Sequence, residues 1–201
     1  MWEYMSVPQA QKYLRLTIAV CLLPDPSFSD IQMVIVFAVD ITLDPATAHP
    51  SLFLSEGNRR VTWEEKSQDL PEDPQRFCSL PCVLGHQVTT SGRWYWEVEA
   101  ESHVTWDLGI CRPHVMRKGR VYIKPEDGFW ALRFYKQEYW ALTSPETKPT
   151  VKVHPARVSI FLEYEEGSIS FYDRIDKSHI HTLSQGAFDG LFKAFFQALA
   201  Q

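Results

Sequence analysis

The chain has 201 residues, enough for one domain with a full hydrophobic core and an extension beside it. A net charge of −5 gives no broad attraction to nucleic acid or anionic lipid, and 13 prolines work against long helices. The 7 Trp, 8 Tyr and 12 Phe suit the half-buried, pleated surface of strands.

Residues 1–38 have weak periodicity and no clear caps, and are read as a poorly defined N-terminal extension. The apolar runs at 16–23 and 33–39 fall short of the roughly 20 residues a bilayer crossing needs. Lys12 and Arg15 precede the first run as in a secretory leader, but Pro24, Asp25 and Pro26 follow it where a small-residue cleavage pattern would stand. The sole asparagine, Asn58, is followed by Arg59 and Arg60 and forms no glycosylation acceptor. Cys21, Cys78, Cys82 and Cys111 are too few and too irregular for a disulfide framework. Reduced thiols in the cytosol are the expectation.

Residues 39–91 mix short strand-like pieces with polar loops, and 92–183 are densely strand-like. Within 93–100, Trp94, Trp96, Val98 and Ala100 alternate with Arg93, Tyr95, Glu97 and Glu99, which predicts a strand with one buried and one solvated face. Strands follow at 105–111, 128–135 and 138–143. At 128–135, Trp130, Leu132 and Phe134 share the core face, and Arg133 and Tyr135 the other. The run 158–165 alternates in the same way. Glu166 and Gly167 supply a tight turn, and 168–173 returns as the partner strand, burying Ile169 and Phe171. A further strand is expected at 179–183, while 191–200 fits a helix or a strand. Many short strands with turn signals between them predict an all-β, antiparallel sandwich or barrel, and the lack of strand–helix alternation disfavours a nucleotide-binding α/β fold.

No catalytic constellation is present: neither a G-x-S-x-G elbow nor a phosphate-cradling glycine loop occurs. Cys78, Cys82 and His86 lack the paired spacing of zinc ligands, and both cysteines are read as small apolar packing groups. His179 and His181 fall on one face of a strand and are read as a solvated or pocket-lining pair, and Glu163, Glu165 and Glu166 as a solvated face. No cofactor and no metal are expected. The 112–124 loop carries Arg112, Lys118, Arg120 and Lys124, a candidate grip for an anionic ligand.

GRWYWEVE at 92–99 resembles the GRHYWEVEV block of the B30.2 (PRY-SPRY) domain. WDLGIC at 106–111 resembles its W-x-x-G-V-C strand, DGFW at 127–130 its NGFW block, and VSIFLEYEEG at 158–167 its VGIFLDYEAG block. DITLDPATAHP at 40–50 with LFLSE at 52–56 resembles the PRY part. PCVLG at 81–85 and VMRKG at 115–119 look most like butyrophilins. The resemblance covers about residues 39 to 196. It implies a bent, two-sheet antiparallel β-sandwich, with PRY at about 39–91 and SPRY at about 92–201. The resemblance further implies a non-catalytic module that binds a protein partner, or as in some members a phosphorylated small molecule, through variable loops, and the likeness to butyrophilins implies an immune-regulatory and cytosolic setting.

In a tripartite-motif relative that binds antibody Fc, the contact positions match Asp107, Arg133, Tyr135 and Phe196. Arg133 and Tyr135 stand where that relative has two tryptophans. In the phosphoantigen-sensing butyrophilin, a His matches Asp107, an Arg matches Trp140, and Lys118 looks retained. The resemblance therefore points to Asp107, Arg133, Tyr135, Trp140 and Phe196 as partner-binding positions and against tight pyrophosphate binding. The family continues past Phe196 into a final strand, and the lack of one would leave a sheet edge or core face uncovered.

Overall fold

The computed structural model describes residues 13–17, 20–24, 33–37, 39–100, 104–150 and 156–200. Among the described residues fourteen strands follow one another: β1 (Tyr13–Thr17), β2 (Val20–Pro24), β3 (Met33–Phe37), β4 (Leu52–Ser55), β5 (Arg60–Trp63), β6 (Cys82–Thr89) and β7 (Arg93–Ala100), then β8 (Val104–Cys111), β9 (Phe129–Tyr135), β10 (Glu138–Ala141), β11 (Arg157–Glu163), β12 (Ser168–Asp173), β13 (His179–Ser184) and β14 (Phe192–Ala200). The one helical element among the described residues is a single 3₁₀ turn, Pro125–Asp127. A seven-stranded sheet runs β13-β12-β11-β7-β1-β5-β4, a five-stranded sheet runs β10-β9-β8-β14-β6, and β2 pairs with β3. Every pairing is antiparallel, so the molecule is the two-sheet β-sandwich that the alternation predicts.

Period-two patterning sends one face of each sheet into a shared core. Trp106, Leu108, Ile110, Trp130, Leu132 and Phe134 of the smaller sheet join Trp96, Val98, Val158, Ile160 and Leu162 of the larger in one buried cluster. Phe134 stacks on Trp106 at 5.5 Å between ring centroids, a separation that favours offset aromatic pairs. Gly109 lets β8 and β9 approach closely, because a Cβ there would lie 2.0 Å from the carbonyl oxygen of Trp130. Gly167 turns the β11–β12 hairpin at φ +62°, as the sequence predicts.

Two elements depart from the sequence reading, and a third settles a choice the sequence leaves open. β1 comes from the stretch read as a poorly defined extension, and it lies between β5 and β7 with Leu14 and Leu16 buried. Arg15 pairs with Glu56 at 2.7 Å and Arg60 stacks on Tyr13 at 3.9 Å, fixing the strand on its exposed side. The 191–200 stretch is extended: β14 is hydrogen-bonded to β8 on one side and β6 on the other.

The second departure is on β7, where Tyr95 and Glu97, expected on a solvated face, are 0% and 1% exposed. The Tyr95 hydroxyl donates to Glu97 and lies 3.1 Å from Ser159 Oγ, and Arg174 Nε donates to Glu97 at 2.5 Å. A buried carboxylate survives there because a cation and a hydroxyl both serve it.

Candidate functional site

The outer face of the five-stranded sheet carries the residues of interest. Register aligns Trp140, Arg133, Asp107, Gln197 and Cys82 in one row across β10, β9, β8, β14 and β6. Phe129, Ala131, Cys111, Leu84 and Phe195 share this face and form a second, smaller apolar cluster with Phe77 and Val115, against which Val121 and Ile123 also pack. The cluster buries Cys82 at one end of the row and touches the half-buried Trp140 at the other, leaving Arg133 partly open.

Asp107 is wholly buried, with Arg133 beside it. Arg133 Nε and Nη2 donate to the two carboxylate oxygens at 2.8 Å each, a forked pair with the Arg133 side chain 30% exposed. Burial pushes the Asp107 carboxyl above its usual range, and Arg133 pulls it back. The same bond holds Arg133 firmly charged, and Glu146 adds a second negative charge nearby. Asp107 thus reaches a ligand only through the guanidinium it orients.

A groove of about 350 Å³ opens over this pair. Arg133 and Gln197 line its floor, Tyr122, Ile123 and Lys124 one wall, and Thr143, Pro145 and Glu146 the other. On the same sheet face, Tyr135 is 42% exposed beside Arg133. Trp140 is half-buried under Lys148, which also pairs with Glu138 at 2.5 Å.

Of the five predicted partner positions, Asp107, Arg133, Tyr135 and Trp140 share this face. Phe196 does not: it is 1% exposed in the core between the sheets. The correction follows from strand phase. Phe196 pairs with Leu108, a core residue, so its neighbour Gln197 takes the outer face opposite Asp107. Gln197 and Glu146 were missed because a segment readable as helix or strand has no fixed phase, and because no periodicity marks a loop residue.

The anion-loop candidates do not converge. Arg112 pairs with Asp189 at 2.6 Å and lies over the Phe192 ring, outside the groove. Lys124 lines the groove, Arg120 and Lys124 both lie over the Tyr122 ring, and Lys118 is exposed. Arg117 turns inward, 4.5 Å over Phe77.

Nothing on this face resembles an activated nucleophile. Cys82 and Cys111 are fully buried and burial pushes both thiols up, Cys111 to about 12, so they remain protonated. Cys78, read as a packing residue, is exposed instead. No group of three or more His, Cys, Asp or Glu side chains suited to a metal occurs among the described residues. No helix among them is long and apolar enough to cross a membrane.

Comparison with known proteins follows the same lines. The SPRY domain family model matches residues 93–200, and the model of the SPRY-associated domain, PRY, matches 41–88. Butyrophilin subfamily 1 member A1 of Bos taurus is 50% identical over 159 residues, which is 79% of this chain and 30% of that protein. Zinc finger protein RFP of Homo sapiens is 42% identical over 194 residues, covering 93% of this chain and 38% of that protein. The chain therefore spans about a third of the length of these relatives. Among solved structures, the TRIM65 PSpry domain superposes with a TM-score of 0.70 at 22% identity, over 81% of this chain and 87% of that one.

Proposed function

The chain belongs to the SPRY-domain family, whose members are protein-interaction modules, and from that premise we propose that it grips a protein partner through the groove over Asp107 and Arg133. One observation carries this reading: a forked ion pair holds the Arg133 guanidinium rigid at an open groove, with the half-exposed Tyr135 beside it. Arg and Tyr are enriched at interface hot spots because both combine apolar area with directional donors; Tyr does so at little cost in conformational freedom, and the forked bond to Asp107 already restricts Arg133. Trp140 extends the apolar area, and Lys124 and Glu146 give the rim charges of both signs. The similarity to butyrophilins supports an immune-regulatory role on the cytosolic side of a membrane.

A small phosphorylated ligand is the weaker reading. Asp107 neutralises Arg133, Glu146 opposes Lys124, and Arg112 is committed to Asp189 outside the groove. An anion entering here meets no net positive field.

The reading is tested by affinity capture from immune-cell lysate with the wild type and Tyr135→Ala. Tyr135 is on the surface, so the variant's stability stays within about 0.5 kcal/mol. Its affinity for the captured partner falls by about 2 kcal/mol, about thirtyfold. Calorimetry with inorganic pyrophosphate shows no saturable heat. A partner held equally by both proteins, or saturable pyrophosphate binding lost on Lys124→Ala, defeats the proposal.

A further inference from the structure

A second groove, of about 480 Å³, lies at one end of the sandwich, away from Tyr135. The connection after β8 forms one wall, the 3₁₀ turn Pro125–Asp127 a second, and Leu191 at the entry to β14 a third, with Trp130 and Gln185 also lining it. These walls are fixed in place. Arg112 N–H donates to the Gly128 carbonyl at 2.9 Å, and Gly128, at φ +89°, packs so closely that a Cβ would lie 3.2 Å from Val115 Cγ1. The Trp130 indole N–H donates to Gln185 Oε1, joining the two sheets at the base of the groove.

Its surface chemistry differs from that of the first groove. Among the described residues six large hydrophobic side chains are exposed, and two of them, Met116 at 61% and Leu191 at 45%, line this one depression. Scattered singly such residues need no explanation, whereas these two line one groove. Beside them Glu126 and Asp127 are exposed, and neither is ion-paired among the described residues. The one lining guanidinium, Arg112, is matched by Asp189. The lining is left with two carboxylates beyond the Arg112–Asp189 pair, beside His114 and the apolar Met116 and Leu191.

We propose that this groove is a second docking site, for a protein segment that places an apolar side chain between Met116 and Leu191 and a Lys or Arg against Glu126 and Asp127. Charge complementarity selects this occupant. An acidic segment would be repelled by the two carboxylates, and an uncharged one would gain no attraction from them. Trp130, at 4% exposed, offers no open ring face to a quaternary ammonium, so a small cation lacks the aromatic cage it would need. Preformed walls mean that binding orders little of the chain.

The test pans a phage library of random peptides on the intact chain and measures synthetic versions of the enriched peptides by fluorescence polarisation. The expected peptides carry an apolar residue close to Lys or Arg. Their affinity falls about tenfold in Glu126→Lys and in Met116→Asp and weakens with added salt, and it is unchanged in Tyr135→Ala. Both substituted positions are exposed, and unfolding curves that overlay the wild type verify the variants. Failure to enrich any peptide overturns the proposal, as does enrichment of peptides indifferent to both substitutions. Peptides lost on Tyr135→Ala instead place recognition at the first groove. Concentration-dependent dimers in sedimentation velocity that Met116→Asp abolishes make a second copy of the chain the occupant and also overturn it.

Discussion

Replacing Arg133 with Met lowers the unfolding free energy at pH 7 by about 3 kcal/mol, and most of that loss disappears near pH 4. Met keeps much of the side-chain volume and removes the charge, leaving the fully buried Asp107 carboxylate without its forked partner. Burial already raises the Asp107 pKa in the folded chain, with Arg133 opposing the rise. A carboxyl raised on folding contributes stability that is fully present below its unfolded pKa and is lost as pH rises through the folded one. Removing Arg133 moves the folded pKa further up, so the variant's deficit opens as pH climbs from acid towards neutral. Denaturant unfolding of both proteins at the two pH values reads this directly, and replacing Asp107 with Leu in the same chain restores much of the loss. A deficit of equal size at both pH values would mean that packing, rather than charge, sets the cost.

Replacing Leu14 and Leu16 together with Ala costs about 5 kcal/mol, the largest loss expected from any pair of apolar truncations in the chain's first strand. Both side chains enter the core between the sheets, and their strand carries the hydrogen bonding from β5 on one side to β7 on the other. Without it the seven-stranded sheet separates into the β4–β5 pair and the block from β7 to β13. A loss of this size approaches the whole margin of a natural domain, and the thermal midpoint falls by about 10–20 °C. Differential scanning calorimetry checks it. A midpoint within a few degrees of the wild type would show that β1 is dispensable to the sandwich.

The SPRY half was legible because its strands alternate cleanly. Val98, Ile160 and Phe134 fall where period two puts them. β1 was not, since Tyr13–Thr17 holds only two core-facing residues, too few for a periodic signal against the apolar run that continues to Leu23. Alternation also misleads where an outer face is covered. Tyr95 and Glu97 read as solvated, but they are buried because Arg174 and Ser159, distant in sequence, satisfy them. The same limit applies at the groove. Arg133 and Tyr135 could be assigned to the outer face from their own strand, while the burial of Asp107, the contribution of Gln197 and the scattering of the 112–124 cations depend on which strands become neighbours.

The central claim, that the outer face of the five-stranded sheet meets the partner, is tested most directly by site-specific photocross-linking in cells. A benzophenone amino acid is placed in turn at Tyr135, at Tyr122 on the groove wall, and at Ile175, which is 76% exposed on the turn between β12 and β13. The account predicts one discrete adduct from positions 135 and 122 and none from 175. An adduct from 175 with none from 135 would contradict it.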